Sequence, residues 1–297
     1  MSTNRMLLKK DLKEKRELVN IEVDRFLPRK DEYPKQIHKA IRHTLFAGGK
    51  RLRPYLLINT YLLFADDIKN TLLVAGAIEM LHSYTLIHDD LPEIDNDEYR
   101  RGKKACHIVF GSDIALLAGD SLLIFAFEAI TMAKIDEKLK LQLIQELAQE
   151  AGDRGLIAGQ MVDIISEGKE VSKETLEYIH TNKTARMINL PIRFGCYLAN
   201  ASAEDQKRLE KFGNKLGLAF QIVDDILDIE GIQQTLGKTI GKDMKAKKAT
   251  FPAVYGLEKS RIMAEKLLNE AKELLNPYKE KAELLRMLCD FILTRKF

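Results

Sequence analysis

Leu72-Leu73-Val74-Ala75-Gly76-Ala77-Ile78-Glu79-Met80-Leu81-His82-Ser83-Tyr84-Thr85-Leu86-Ile87-His88-Asp89-Asp90-Leu91-Pro92-Glu93-Ile94-Asp95 reads as one long apolar helix that ends in carboxylates. Apolar residues return every three or four positions, through Leu72-Leu73, Ala75-Gly76, Ile78 and Leu81. That is the period of a helix, not the alternation of a strand. Pro92 removes a backbone donor and breaks the helix. The same period recurs at Leu139, Leu143, Ile144 and Leu147, and no alternating run of β-branched and aromatic residues stands between turn dipeptides. Gly48-Gly49, Asp66-Asp67, Gly111, Gly152, Gly168, Gly231 and Asn276-Pro277 punctuate the pattern. Ser172, followed by Glu174, reads as a helix start. The expectation is an all-α fold of ten or more helices in a single domain over residues 1–297.

Of the 297 residues 45% are hydrophobic and 31% charged, with 47 basic side chains against 44 acidic ones and a net charge of +3. A balance so even gives no reason to expect a nucleic-acid partner. Three cysteines, Cys106, Cys196 and Cys289, stand far apart and form no pair, the usage of a reduced, cytoplasmic protein. Met6-Leu7-Leu8 is too short for a signal-peptide core. The longest apolar stretch, Ile114 to Ile130, is interrupted by Asp120 and Glu128, so no membrane span is expected. The segments Asp113–Met132 and Gly213–Ile229 are apolar around much of their circumference. Such helices lie inside a bundle or at a subunit interface, which predicts a central helix and a homodimer.

Acidic residues collect at two places, Asp89-Asp90 with Asp95, and Asp224-Asp225 with Asp228. An acidic cluster is ordinarily a solvated helix face, but Ile222, Val223, Ile226 and Leu227 flank the second one. Buried carboxylates at close range must be protonated or matched by cations. Asp224 and Asp228 are four apart on one helical face, and Gln221 precedes Asp224 by three on the same stripe. Asp89 and Asp95 are six apart, about 120° out of line on a regular helix, so a bulge at Pro92 is needed to bring Asp95 back towards Asp89. Oxygen donors without cysteine or a clear histidine set favour a hard cation such as Mg²⁺, which binds substrate phosphates and keeps waters. Basic counter-charges stand nearby: Gly48-Gly49-Lys50-Arg51-Leu52-Arg53-Pro54, Arg100-Arg101-Gly102-Lys103, and then Lys183-Thr184, Lys238, Lys242 and Lys248. Arginine forks and lysine point charges both suit phosphate oxygens. A metal site followed directly by a basic pair points to a bound polyanion.

In this order, with Gly159-Gln160-Met161-Val162-Asp163, Gln221 to Asp228 and Gly237-Lys238-Thr239-Ile240-Gly241-Lys242-Asp243, the motifs resemble those of the trans-prenyl diphosphate synthases, specifically bacterial short-chain farnesyl or geranylgeranyl diphosphate synthases. The match runs from about Leu45 to the C-terminus. It implies an isoprenoid synthase fold, a polyprenyl synthetase domain with helices around a central cavity, and a Mg²⁺-dependent transferase. Isopentenyl diphosphate would be joined to dimethylallyl and geranyl diphosphates to give farnesyl diphosphate, or, alternatively, geranylgeranyl diphosphate. The resemblance implies that Asp89 and Asp95 bind two Mg²⁺ ions and Asp224 a third. Asp90 and Asp228 act at the margin, and Asp163 stands behind. Arg100, Lys183, Lys238 and Lys248 would grip the allylic diphosphate. Lys50, Arg53, His82 and Arg101 would bind that of isopentenyl diphosphate. Lys183, Thr184 and Gln221 would face the allylic cation. Two positions depart from the family pattern without touching that chemistry: Ala158 replaces the first glycine of a pair, and Phe251 stands where tyrosine is common.

Tyr84 lies five residues before Asp89, about 7.5 Å down the helix, and with Thr85 it is the candidate floor that limits product length. An aromatic residue there resembles the farnesyl type. One rival comes from another class. Glu79-x-x-His82 and Glu177-x-x-His180 each fit the signature of a di-iron helical bundle, yet that reading leaves both aspartate clusters and the arginine pair without a role. A terpene cyclase or a non-catalytic synthase subunit would usually lack one of the two clusters.

Overall fold

In the computed structural model, which describes residues 3–230 and 250–294, the apolar run before Pro92 is helical from Leu72 to Asp89. Chain order gives α1 (Thr3–Phe26), α2 (Lys35–Leu45), α3 (Leu52–Tyr61), α4 (Leu72–Asp89), α5 (Cys106–Phe110), α6 (Ser112–Met132) and α7 (Glu137–Ala151). There follow α8 (Leu156–Ser166), α9 (Lys173–Ile179), α10 (Arg186–Leu198) and α11 (Ala203–Glu230). Helices Phe251–Tyr255, Leu257–Leu274 and Glu283–Thr294 close the described chain. Among the described residues the only strands are β1 (Tyr99–Arg100) and β2 (Lys103–Lys104), paired antiparallel. The fold is all-α. Ser172 caps α9 by accepting from the Thr175 amide, and Asp136 caps α7 in the same way.

Two apolar clusters share a dividing layer. Ala75, Ile78 and Leu81 of α4 pack with Ala118, Leu122 and Ala126 of α6 and with Leu143 and Leu147 of α7. On the other side Leu209, Phe212 and Leu216 of α11 pack with Leu268, Leu285 and Leu288 of the last helices. Helix α10 lies between, giving Met187, Leu190 and Phe194 to the first cluster and Ile188 and Ile192 to the second. α3 divides its residues likewise, Leu57 and Ile58 one way and Tyr55 and Leu56 the other. The arrangement brings the ends of α4, α10 and α11 to the same region of the molecule.

Helix α6 is long and apolar enough to cross a membrane by length and composition, despite Asp120 and Glu128. Its buried face, with Ala115, Ala118, Leu122, Ala126 and Ala129, packs into the core. Leu116, Leu117, Ile124 and Met132 are exposed, so this helix is not enclosed on all sides.

Candidate active site

At the end of α4 the chain turns back on itself. The Asp95 amide donates to the Asp89 carbonyl at 2.9 Å, the Asp97 amide to the Asp90 carbonyl at 3.2 Å, and the Asn96 amide to the Leu91 carbonyl at 3.0 Å. This is the return that Pro92 makes possible, and it sets Asp95 over the last turn of the helix. Asp90 is buried and accepts from Arg100 Nε at 2.9 Å, and Arg100 also reaches Asp97 at 3.3 Å. Burial pushes the Asp90 carboxyl up to about 6, against the pull of Arg100. β1 and β2 then meet in a two-residue turn, Arg101-Gly102, where both residues have positive φ, 54° and 74°, as a type I′ hairpin requires. The turn sends neighbouring arginines in different directions: Arg100 to the aspartates, Arg101 across to Gly48 and Glu79.

The second direction leads to a basic pocket. Arg101 donates to the Gly48 carbonyl at 3.0 Å and to Glu79 at 3.3 Å. Arg51 donates to the same Glu79 oxygen at 2.9 Å and to Gly48 at 2.8 Å. Gly49 allows this stacking, because a Cβ there would lie 2.7 Å from Arg101 Cζ. Glu79 is thus a buried counter-charge for two guanidiniums. Lys50 lies 4.9 Å from the Phe291 ring centroid. Burial lowers Arg53 to about 10, with Glu79 and Asp224 pulling the other way. His82 falls well below its usual 6.5, through burial first and then Arg53 and Arg101, so it is neutral. Lys50, Arg51, Arg53, Glu79, His82 and Arg101, with Phe220 and Phe291, line a cavity of about 350 Å³.

Facing α4 is a six-residue π-helical segment, His180–Ala185, between α9 and α10. Lys183 donates to Asp163 at 2.6 Å. The Thr184 hydroxyl donates to Gln221 Oε1 at 2.7 Å, Gln221 Nε2 donates to Asp225 Oδ1 at 2.7 Å, and the Phe251 amide donates to Asp225 Oδ2 at 2.9 Å. His180 Nε2 stands 3.6 Å from that same oxygen, and its ring stacks on Phe251 at 5.1 Å. Burial holds His180 down at about 4. α8 approaches so closely that a Cβ on Gly159 would lie 2.5 Å from the Lys183 nitrogen; only glycine fits. A second cavity, about 110 Å³, is lined by Arg53, His82, Thr85, Asp89, Gln160, Lys183 and Thr184, with Leu86, Leu156 and Met187 as its apolar wall. Arg53 and His82 line both cavities and form the partition between them.

Asp89, Arg53, His82, Lys183 and Thr184 are therefore brought together, with Gln221 one hydrogen bond behind. Asp224, half-buried on α11 one turn from Gln221, lies outside the smaller cavity's lining, yet close enough to Arg53 to act on its charge. Asp228 is buried. Thr85 lines the smaller cavity; Tyr84 instead packs edge-on against His88, ring centroids 4.8 Å apart. Lys238, Lys242 and Lys248 lie outside the described residues. Among the described residues no three His, Cys, Asp or Glu side chains make a ready cage for a metal. The donors are oxygens divided between the ends of α4 and α11, which fits a hard cation that completes its shell with phosphate oxygens and water. The Glu-x-x-His pairs are engaged elsewhere, Glu79 with arginines and Glu177 with the Tyr255 hydroxyl at 3.3 Å. Sequence reasoning missed Glu79 as the arginine anchor and Asp225 as the partner of Gln221. A glutamate amid an otherwise apolar helix was the available signal for the first.

Known proteins resemble this chain in sequence and fold. The family model for polyprenyl synthetase matches residues 34–288. A geranylgeranyl diphosphate synthase of Cyanophora paradoxa is 43% identical over 287 residues, covering 96% of this chain and 95% of its own. A farnesyl diphosphate synthase of Geobacillus stearothermophilus is 45% identical over 249 residues, 83% and 84% of the two chains. The solved structure of a Helicobacter pylori geranyltransferase complexed with magnesium and isoprenyl diphosphate superposes with a TM-score of 0.84 at 28% identity, covering 99% of this chain and 97% of that one. A partitioned pair of cavities, a split carboxylate set and these relatives lead to one conclusion: the chain belongs to the polyprenyl synthetase family and is a prenyl transferase of the trans-prenyl diphosphate synthase type.

Proposed function

We propose that this protein condenses isopentenyl diphosphate with dimethylallyl and then geranyl diphosphate, releasing diphosphate and ending at farnesyl diphosphate. The observation that carries the reading is the partition: two cavities, a smaller one that holds Asp89 with Lys183 and a larger basic one, meet at Arg53 and His82. The allylic substrate takes the smaller cavity beside Asp89, and Asp89 and Asp95 together with Asp224 would hold Mg²⁺ for its diphosphate, three ions per site, with Asp90 and Asp228 at the margin. When bound, the metal neutralises charge building on the departing diphosphate. Lys183, steadied by Asp163, holds the same diphosphate, with Lys238 and Lys248 as further cations. Arg100 serves it indirectly, by fixing Asp90 and Asp97. Isopentenyl diphosphate takes the larger cavity against Lys50, Arg53 and Arg101, and neutral His82 donates a hydrogen bond without adding charge.

As the C–O bond of the allylic substrate breaks, Thr184 and Gln221 present oxygens to the cation, and Leu86, Leu156 and Met187 keep water from it. The alkene of isopentenyl diphosphate forms the new C–C bond, and the proton lost from the adduct goes to the released diphosphate. Tyr84 favours the farnesyl product by filling the space beside the growing tail. The names of relatives support a second reading, a geranylgeranyl diphosphate synthase. We further infer one domain over residues 1–297, a cytoplasmic protein with three buried free thiols, and a homodimer that covers the apolar residues of α6. The test is labelled isopentenyl diphosphate with each allylic starter and Mg²⁺, followed by chromatography of the dephosphorylated products. A fifteen-carbon end product is expected. A twenty-carbon end product would favour the second reading, and no condensation at all would reject both.

A further inference from the structure

The acidic motif on α11 contains one carboxylate that does different work from its neighbour. Asp225 is 3% exposed, whereas Asp224 is only half-buried. Its two oxygens are directed at protein donors: Oδ1 accepts from Gln221 Nε2 at 2.7 Å, and Oδ2 accepts from the Phe251 backbone amide at 2.9 Å. An ionised carboxylate can only accept hydrogen bonds, so the side of the Gln221 amide that faces it must be the NH₂. The amide is planar, and the carbonyl oxygen therefore turns the other way, where the Thr184 hydroxyl donates to it at 2.7 Å. Thr184 lines the smaller cavity.

We infer that Asp225 is a positioning residue: it locks Gln221 with its carbonyl dipole, and not its NH₂, towards the cavity where the allylic cation forms. The inference rests on the reading of Gln221 given under the proposed function. The sign of that dipole matters. A carbonyl oxygen stabilises developing positive charge, and an amide NH₂ in the same place would oppose it. His180 and the stacked Phe251 ring supply the rigid wall that holds Asp225 in turn.

Asp225→Asn tests the lock, because an asparagine accepts on one side only. It must either lose the Phe251 amide or turn its own NH₂ to Gln221 and flip that amide. The expected result is a fall in kcat of about 10- to 100-fold, with KM for both diphosphates and the Mg²⁺ concentration at half-activity changed less than about 2-fold. Gln221→Glu alone sets two carboxylates face to face and should also be impaired. The double variant Gln221→Glu/Asp225→Asn rebuilds this chain of bonds: the new asparagine side chain accepts from Phe251 and donates to the new carboxylate, which still accepts from Thr184. Its kcat should exceed that of either single variant by at least about 5-fold, a non-additive recovery that only coupled residues give. Failure of the double variant to recover, or a raised Mg²⁺ requirement in Asp225→Asn, would overturn the positioning role and make Asp225 a ligand or a plain structural brace. Gln221→Leu separates the two readings. Unchanged kcat there would remove Gln221 from the reaction, while a lowered kcat with normal Asp225→Asn would sink only the present inference.

Discussion

Replacing Glu79 by glutamine should cost this protein more than any other single-atom change in α4. Glu79 is 2% exposed and bonds Arg51, itself 3% exposed, and Arg101. The field of Glu79 also acts on Arg53. With the carboxylate gone, Arg51 and Arg101 lose the acid they share, and Asp224 is left as the opposing charge on Arg53. Removing one partner of a buried ion pair costs about 3–5 kcal/mol. An unfolding entropy of about 2.1 cal/mol/K per residue amounts, for 297 residues, to about 0.6 kcal/mol/K. The melting midpoint of Glu79→Gln should therefore fall by about 5–8 °C in scanning calorimetry. Inorganic diphosphate should restore more stability to the variant than to the parent, since an added anion would meet uncompensated cations. Glu137→Gln, which breaks the exposed pair with Lys140, is the control and should move the midpoint by about 1 °C or less. A Glu79→Gln midpoint within about 2 °C of the parent would refute the reasoning: the arginines would then have other means of neutralisation.

Tyr84→Ala, given excess isopentenyl diphosphate, should extend the main product from fifteen to twenty carbons or beyond, read by chromatography; an unchanged product would reject the floor role. Gly159→Ala puts a methyl 2.5 Å from the Lys183 backbone nitrogen, which cannot yield without moving the π segment. It should lose about 1–3 kcal/mol of stability and at least about 10-fold in turnover, whereas retention of both would mean that α8 simply shifts. His180 is held at about 4 against an ordinary 6.5, so the folded state binds fewer protons than the unfolded one between those values. Its contribution is complete above pH 6.5 and is lost as pH falls towards 4, to a limit of about 3 kcal/mol. His180→Gln should flatten the acid side of the stability curve across that window, and an unaltered slope in denaturant titrations would exclude the effect.

Much of the fold was legible because helix period and helix stops are local signals. The run from Leu72, its end at Asp89 and the break at Pro92 all follow from residue order, as does the need for Asp95 to fold back. What the sequence could not convey was pairing. Arg100 and Arg101 stand side by side and look interchangeable, and only the positive φ of the Arg101-Gly102 turn separates their targets. Glu79 offered a tidy spacing with His82, but its partner Arg51 is 28 residues away, and no periodicity encodes such a contact. Asp225 read as one more member of an acidic cluster because its partners, Phe251 and His180, come from distant segments. The apolar circumference of α6 likewise predicted burial or an interface without indicating which side the core would take.

The π turn at His180–Ala185 carries a consequence for what the gene can tolerate. A π turn holds one more residue than the α turn it replaces, so the lysine–threonine pair faces the cavity only while that surplus residue is retained. Excising a codon between positions 180 and 182 would let the backbone relax into an unbroken α-helix: α9 and α10 could keep their places, but the lysine–threonine pair would lose the bulged geometry that presents it. Such a deletion would leave helix content and apolar composition almost intact while disarming the enzyme.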